Sequence, residues 1–369
     1  MNFVLWAPLA IIYFSKVTGS YALGLSIFSV VQITAALFEL PTGILSDFVG
    51  RRKTMIFGAI SYVFAFVLYA VGQFYWVLIL GAILEGLARS FYSGNNEALL
   101  YDTLKEEKKT EELASVMGKI GSMSQWGLAV SGLLGGFVAS WSLSLVMWLA
   151  VVPQLICLVL AWIIQDGGKV KNEDGNIYAH LKESVSNFLK NERLRLLSLS
   201  DILSFGMGES MFQFRSAFVA SLWPIWAIGI AQVLSNIGAA ISFRFAGAWI
   251  KKYKAIVWLL VGGIYSRVAY LVGLLFPTLL SPALMASTSL FFGVGIVAKS
   301  SLLQKEFSDK QRATMGSLNS FAGSIFFALF AVCLGLLADL STPRIAMIVV
   351  TLLQFVTVWI QWKLFKKGM

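Results

Sequence analysis

Charge is what this chain has least of. Asp, Glu, Lys and Arg make up only 13% of its 369 residues, about half the share of an average soluble domain, and that excludes the soluble globular class. It has one histidine, His180, in a polar stretch, and two cysteines, Cys157 and Cys333, each alone in apolar sequence. Isolated thiols offer neither a disulfide framework nor a metal cluster. With a single loop histidine there is no hydrolytic constellation either, so no enzyme and no cofactor is expected. No Gly-x-x-x-x-Gly-Lys-Ser/Thr segment occurs, and QDGGKV (Gln165 to Val170) has the wrong spacing to cradle phosphates. ATP-driven transport by this chain alone is therefore not expected. Alternating-polarity strands are lacking, which argues against a closed β-barrel. The opening residues carry no basic segment and no small-residue cleavage site, so a cleaved signal peptide is not expected.

What is present is apolar length. Hydrophobic residues make up 58% of the chain, and runs near the ~20 residues needed to cross ~30 Å of hydrocarbon can be placed at 1-15, 21-46, 54-72, 75-98, 113-140, 143-165, 194-216, 221-249, 255-276, 281-300, 313-338 and 344-363. The expectation is an all-α membrane protein with twelve spans, the first of them short. The longest polar segment divides six spans from six: an N-terminal half at 1-165, a linker at 166-192 and a C-terminal half at 193-369. The linker holds HLKESVSNFLKNERLR, an amphipathic stretch suited to the membrane surface.

The net charge of +10 has a topological explanation rather than a nucleic-acid one. The loops on one side carry Arg51, Arg52 and Lys53, then Lys105, Lys108 and Lys109, the linker bases, Lys251, Lys252 and Lys254, then Lys299, Lys305, Lys310 and Arg312, and finally Lys363, Lys366 and Lys367. The other side clearly carries only Lys16 and Arg344. The positive-inside rule places the basic loops and both termini in the cytoplasm, in a cell inner membrane. The partners to expect are the lipid bilayer, a small-molecule substrate and protons, with no nucleic acid; the chain is expected to work as a monomer.

One basic loop is more than topogenic. Gly43-Ile44-Leu45-Ser46-Asp47-Phe48-Val49-Gly50-Arg51-Arg52-Lys53 resembles the G-x-L-[AS]-D-x-x-G-R-[RK]-[RK] signature of the major facilitator superfamily, in its usual place between spans two and three. The second half offers a degenerate copy, WIKKYK, without the acid, as an internal repeat would. The resemblance implies a twelve-helix fold in two pseudo-symmetric six-helix halves and an alternating-access mechanism gated by this loop. The glycines at 43 and 50 are expected to let the chain turn and helices approach. The gating set is Glu39, Gly43, Asp47, Gly50, Arg51, Arg52, Glu97 and Arg312. GLAVSGLLGG (Gly127 to Gly136) is similar to a motif of the drug/proton antiporter branch, although a small-residue helix contact would produce the same pattern. That branch has an arginine at the position of Ala82, a departure that removes its usual proton relay.

Ionisable groups deep in a span are costly and tend to be functional. Glu85, Arg89, Tyr92 and Asn96 recur at helical spacing as one polar stripe in span four, with Glu85 and Arg89 one turn apart. Asp201, Phe205, Glu209 and Phe212 share a face of span seven; Thr288 and Phe292 stand in span ten. In the family that the motif resembles, these spans line the cavity, so the residues are candidates for substrate contact or proton coupling. A carboxylate with a movable cationic partner suits the latter. Arg267, in span nine, is expected to anchor helices. Function is thus expected to be proton-coupled export of a small amphiphilic or hydrophobic solute, a cation or secreted metabolite. The alternatives are uptake of a nutrient or siderophore-like anionic solute, with Arg89 as the anion site, and a receptor on the same fold.

Overall fold

The computed structural model describes residues 4–93, 99–100, 103–104, 109, 113–164, 191–306 and 312–367. These residues are mostly helical with no strands among them, and every expected apolar run contains helix where it is described. Two compact units divide the chain, Met1–Glu173 and Asp174–Met369. The expected linker, 166-192, lies outside the described residues as far as 190.

The first unit begins with a 3-10 turn, Ala7–Leu9, and continues as α1 (Ala10–Thr18), α2 (Tyr21–Val49), α3 (Arg51–Val71), α4 (Tyr75–Tyr92), α5 (Leu113–Ala139) and α6 (Leu143–Ile163). Helix α4 packs against α2 and α3, and α3 against α6. The helices start where capping chemistry asks: Ser20 accepts from Leu23 N at 3.1 Å and Ser142 from Leu145 N at 3.4 Å. Gly50 ends α2 with φ +91°, a backbone that L side chains rarely adopt, and its N–H donates to Ser46 O at 3.0 Å.

The signature loop is therefore tighter than expected. Helix α2 runs unbroken through Pro41 and Gly43, and Gly50 alone makes the turn into α3. A Cβ on Gly43 would meet nothing within 4 Å, so the expectation that Gly43 turns the chain or admits a close neighbour is corrected for the described residues: continuing the helix satisfies more backbone groups than ending it six residues early. The small-residue motif of α5 has a packing role. A Cβ on Gly135 would fall 1.9 Å from Leu5 O, so the N-terminal segment lies directly on α5 there.

The second unit comprises α7 (Glu192–Val219), α8 (Ile228–Lys252), α9 (Ala255–Leu275), α10 (Ser281–Ser287), α11 (Phe292–Glu306), α12 (Arg312–Leu340), α13 (Pro343–Leu353) and α14 (Phe355–Lys366). Helix α7 packs on α12 and α14, and α8 on α11. Near one end, Leu194, Leu197, Ile256, Leu302, Met315 and Leu364 form a buried cluster that gathers five of these helices. The expected tenth span is not one helix. Thr288–Phe291 forms a 3-10 segment between α10 and α11, and Phe291 and Ser289 pack at Gly262 and Gly238 of the neighbouring helices. Span twelve is likewise interrupted, at Gln354.

Among the described residues nine helices are long and apolar enough to cross a membrane, and two shorter apolar ones, Ala7–Thr18 and Met123–Ala139, accompany them. Helix α7, which bears Glu192, Arg193, Arg195, Asp201, Glu209 and Arg215, is outside that set. Large apolar side chains such as Trp76, Phe137, Trp162 and Leu340 are exposed, as expected of a surface that meets hydrocarbon rather than water.

Candidate functional site

The polar stripe of span four forms around one carboxylate. Helical spacing brings Arg89 back over Glu85: Nη2 donates to Glu85 Oε1 at 2.7 Å and Nε to the same oxygen at 3.1 Å. The other oxygen, Oε2, accepts from Tyr69 Oη on α3 at 2.9 Å. Glu85 is 2% exposed and Tyr69 fully buried, whereas the Arg89 side chain is 42% exposed. The acid therefore sits at the bottom of the site and the cation at its rim. Glu85 is ten residues along α4, ~15 Å from its start, which is a mid-membrane depth.

The shell behind the pair is aromatic. Trp6, Phe14 and Phe66 pack on the Tyr69 ring with centroids 6.1, 5.2 and 5.7 Å away, and Tyr13 Oη donates to Tyr69 O at 2.7 Å. Tyr62 lies within electrostatic reach of Arg89, its ring 5.8 Å from that of Tyr92. The small Gly86 lets α2 close on the site, since a Cβ there would reach Val31 O at 2.6 Å. Excluding water in this way strengthens the ion pair and makes an unpartnered Glu85 costly. Chemically, the arrangement pairs a buried carboxylate with a cation that is itself half exposed.

Helix α4 ends at Tyr92, capped at Ser93, so the described stripe is Glu85, Arg89 and Tyr92. Asn96 and Glu97 lie outside the described residues, as do the side chains of Asp47 and Arg312. Of the remaining gating candidates, Glu39 Oε1 accepts from Ser93 Oγ at 2.9 Å, joining α2 to the end of α4. Arg52 Nη2 donates to Trp162 O at 2.5 Å, tying the start of α3 to the end of α6.

In the second unit, Asp201 pairs with Lys299 of α11 at 2.5 Å, and the adjacent Ser198 and Ser200 accept from Asn319 at 3.1 Å and Gln361 at 3.4 Å. Glu209 accepts from Gln213 Nε2 at 2.7 Å. Phe205 packs near Phe327, with centroids 6.5 Å apart. Phe212 lies 5.5 Å from the Arg215 guanidinium. Thr288 Oγ1 donates to Met285 O within its own turn at 2.7 Å, and Phe292 meets Phe243 edge-on at 6.0 Å. Thus Asp201 and Glu209, which share a face of α7 by spacing, have separate partners. Arg267 joins α9 to α14 through Thr357 Oγ1 at 3.0 Å, which agrees with an anchor.

Two residues and one pairing escape the sequence reading. Tyr69 sits in another span from Glu85, and nothing in its own sequence marks it. Lys299 was in view, but its pairing with Asp201 is tertiary. Arg215 carried a signal: a base at the far end of span seven, on the side with few bases.

A family model described as Major Facilitator Superfamily matches residues 1–304. Among curated proteins, the Escherichia coli inner membrane transport protein YajR is 24% identical over 243 residues, 62% of this chain and 50% of its own length. The class E tetracycline resistance protein of Escherichia coli is 24% identical over 49% of this chain and 40% of its own length. Multidrug resistance protein 2 of Bacillus subtilis is 23% identical over 56% of this chain and 52% of its own length. The chain thus spans about half the length of the curated relatives it matches. Among solved structures, a mutant of the nucleoside transporter NupG superposes with a TM-score of 0.86 at 12% identity, covering 99% of this chain and 97% of that one. A bacterial homologue of the human lysosomal transporter Spinster superposes at 0.75 with 13% identity, covering 98% and 94%.

Proposed function

Because the chain belongs to the major facilitator superfamily and is an integral membrane protein of a family of transporters, we propose that it is a secondary transporter. In this reading it exports a small amphiphilic or hydrophobic solute by alternating access, driven by protons. It sits as a monomer in the inner membrane with both termini cytoplasmic, its two six-helix halves joined by the 166-192 linker. The drug-resistance names of two relatives support the direction.

The observation that carries the reading is Glu85: a carboxylate 2% exposed, at mid-membrane depth, whose cationic partner is at the rim. With Arg89 in place the carboxylate has its cationic partner. A solute or a rearrangement that draws the arginine away leaves a buried charge that is relieved by taking up a proton. That exchange is what coupling requires. Glu209, which accepts from Gln213, is the second coupling candidate. Asp201, Phe205, Phe212, Thr288 and Phe292, with Tyr92 and Asn96, are assigned to the solute path, and Glu39, Gly43, Asp47, Gly50, Arg51, Arg52, Glu97 and Arg312 to the gate.

A solute screen in proteoliposomes with an imposed pH gradient tests this, starting from tetracycline. Glu85→Gln is expected to abolish gradient-driven accumulation while leaving solute exchange without a gradient in place, because only proton exchange is removed. Transport that stays fully gradient-driven in both Glu85→Gln and Glu209→Gln overturns the assignment.

A further inference from the structure

The second unit holds a buried cation whose partners, among the described residues, are neutral. Arg215 of α7 is 7% exposed, one turn from the end of its helix, yet among the described residues no carboxylate lies within ion-pair distance. Its partners are neutral oxygens on α8: Nη1 donates to Ser235 Oγ at 2.8 Å and Nη2 to Gln232 Oε1 at 3.3 Å. Ser235 in turn donates to Ala231 O at 2.9 Å. Gln232 Nε2 donates to Asn236 Oδ1 at 3.1 Å. Asn236 is 8% exposed, and its Nδ2 is buried without a hydrogen-bond partner.

The direction of this relay follows from chemistry. Arginine can only donate, so the oxygen of Gln232 must face it. The amide nitrogen of Gln232 then faces Asn236, whose oxygen must accept, and the Asn236 NH2 is what remains. The chain therefore ends in surplus N–H donors attached to an uncompensated positive charge, in a setting where each is expensive. Both features are answered by the same thing, an anionic group with several acceptor oxygens. Phe212, beside the guanidinium and 45% exposed, adds an apolar surface next to it.

We propose that Arg215, Gln232 and Asn236 form a recognition site for a carboxylate or phosphate group, and that the transported solute is accordingly an anionic amphiphile. The second clause rests on the transporter reading; the binding site does not. The anion could be carried by the solute or by a lipid headgroup, and the two are separable.

The test uses the full chain in phosphatidylcholine nanodiscs, with thermal unfolding followed in benzoate, benzamide or inorganic phosphate, and then again with phosphatidylglycerol in the bilayer. Benzoate or phosphate is expected to raise Tm where benzamide does not, and Arg215→Gln is expected to lose that shift. A shift from phosphatidylglycerol alone, also lost in Arg215→Gln, assigns the site to a lipid headgroup and removes the inference about the solute. Should Arg215→Gln fail to fold, Asn236→Asp decides: the new carboxylate is expected to raise the basal Tm and to abolish the response to added anion. Equal shifts with benzoate and benzamide, no shift with any anion, or an undiminished anion response in the variants overturns the proposal. Failure of proton-driven transport with an intact anion response would count against the transporter mechanism and leave the site standing.

Discussion

The two units handle buried charge in opposite ways. In the first, a buried acid receives three hydrogen bonds, two of them from a cation one helical turn away. In the second, a buried cation is met by neutral oxygens on a neighbouring helix, and Asp201 of α7 meets a lysine of α11 in a position one-fifth exposed. A pair completed within one helix is electrically closed and can be opened by one moving group. A cation satisfied only by dipoles remains a net positive charge. The difference teaches where to test for each ion: in the proposed reading, the proton in the first unit and the anion in the second.

The sharpest way to break that comparison is at Arg89. Glu85 is 3% exposed at the side chain and Arg89 42%, so the two truncations are not equivalent. Arg89→Gln strands a buried carboxylate and is expected to cost about 3–5 kcal/mol, whereas Glu85→Gln leaves a cation that can turn outward and costs less. The double variant recovers most of the loss. Chemical unfolding of the three variants checks the ranking; equal costs for the singles sink the idea that the acid is the buried member.

Tyr69→Phe removes the donor to Glu85 Oε2 while keeping the ring in its aromatic shell. A hydrogen bond to a charged group is worth about 1.5–3 kcal/mol, and a loss in that range is expected by the same measurement. A change below that range would show that the tyrosine packs near the acid without holding it.

The Asp201–Lys299 pair is a smaller lever, because both side chains retain some exposure. Exchanging the two residues is expected to restore most of what Asp201→Asn or Lys299→Gln loses, with a coupling of about 1 kcal/mol or less. A coupling several times larger in a double-mutant cycle would make this pair the equal of Glu85 and Arg89 and erase the contrast between the units.

The smallest effect is at the surface. The exposed Glu192 carboxyl is held below its ordinary value by a hydrogen bond from Lys367 and that residue's charge. A depressed acid contributes stability above the unfolded-state value near 4.5 and loses it as pH falls through the folded value. Comparing wild type with Glu192→Gln, the difference in Tm is expected to be present at pH 7 and to vanish in acid. A difference that grows in acid contradicts the pairing.

Much of the fold was legible because hydrocarbon imposes simple rules. A segment in lipid must satisfy its own backbone, so apolar length alone marked helices wherever the chain is described. Element ends were less legible. Span four was read to residue 98, but α4 ends at Tyr92. Span ten was read as continuous, but contains the 3-10 segment Thr288–Phe291, where a packed neighbour rather than local sequence sets the backbone. Gly43 looked like half of a turn, yet lies inside α2, because a signature shared by spacing does not say which of its glycines bends.

By itself, the sequence determined those things that repeat every turn or every span: the apolar segments, the basic loops, the Glu85–Arg89 pair and the turn at Gly50. These follow from helical geometry and from the price of charge in lipid, both of which act locally. Only the tertiary structure decided what crosses between helices: Tyr69 onto Glu85, Lys299 onto Asp201, Leu5 against Gly135, and Arg215 onto Gln232 and Ser235. Such contacts depend on the rotation and offset of one helix against another, which packing sets and spacing along a single helix does not.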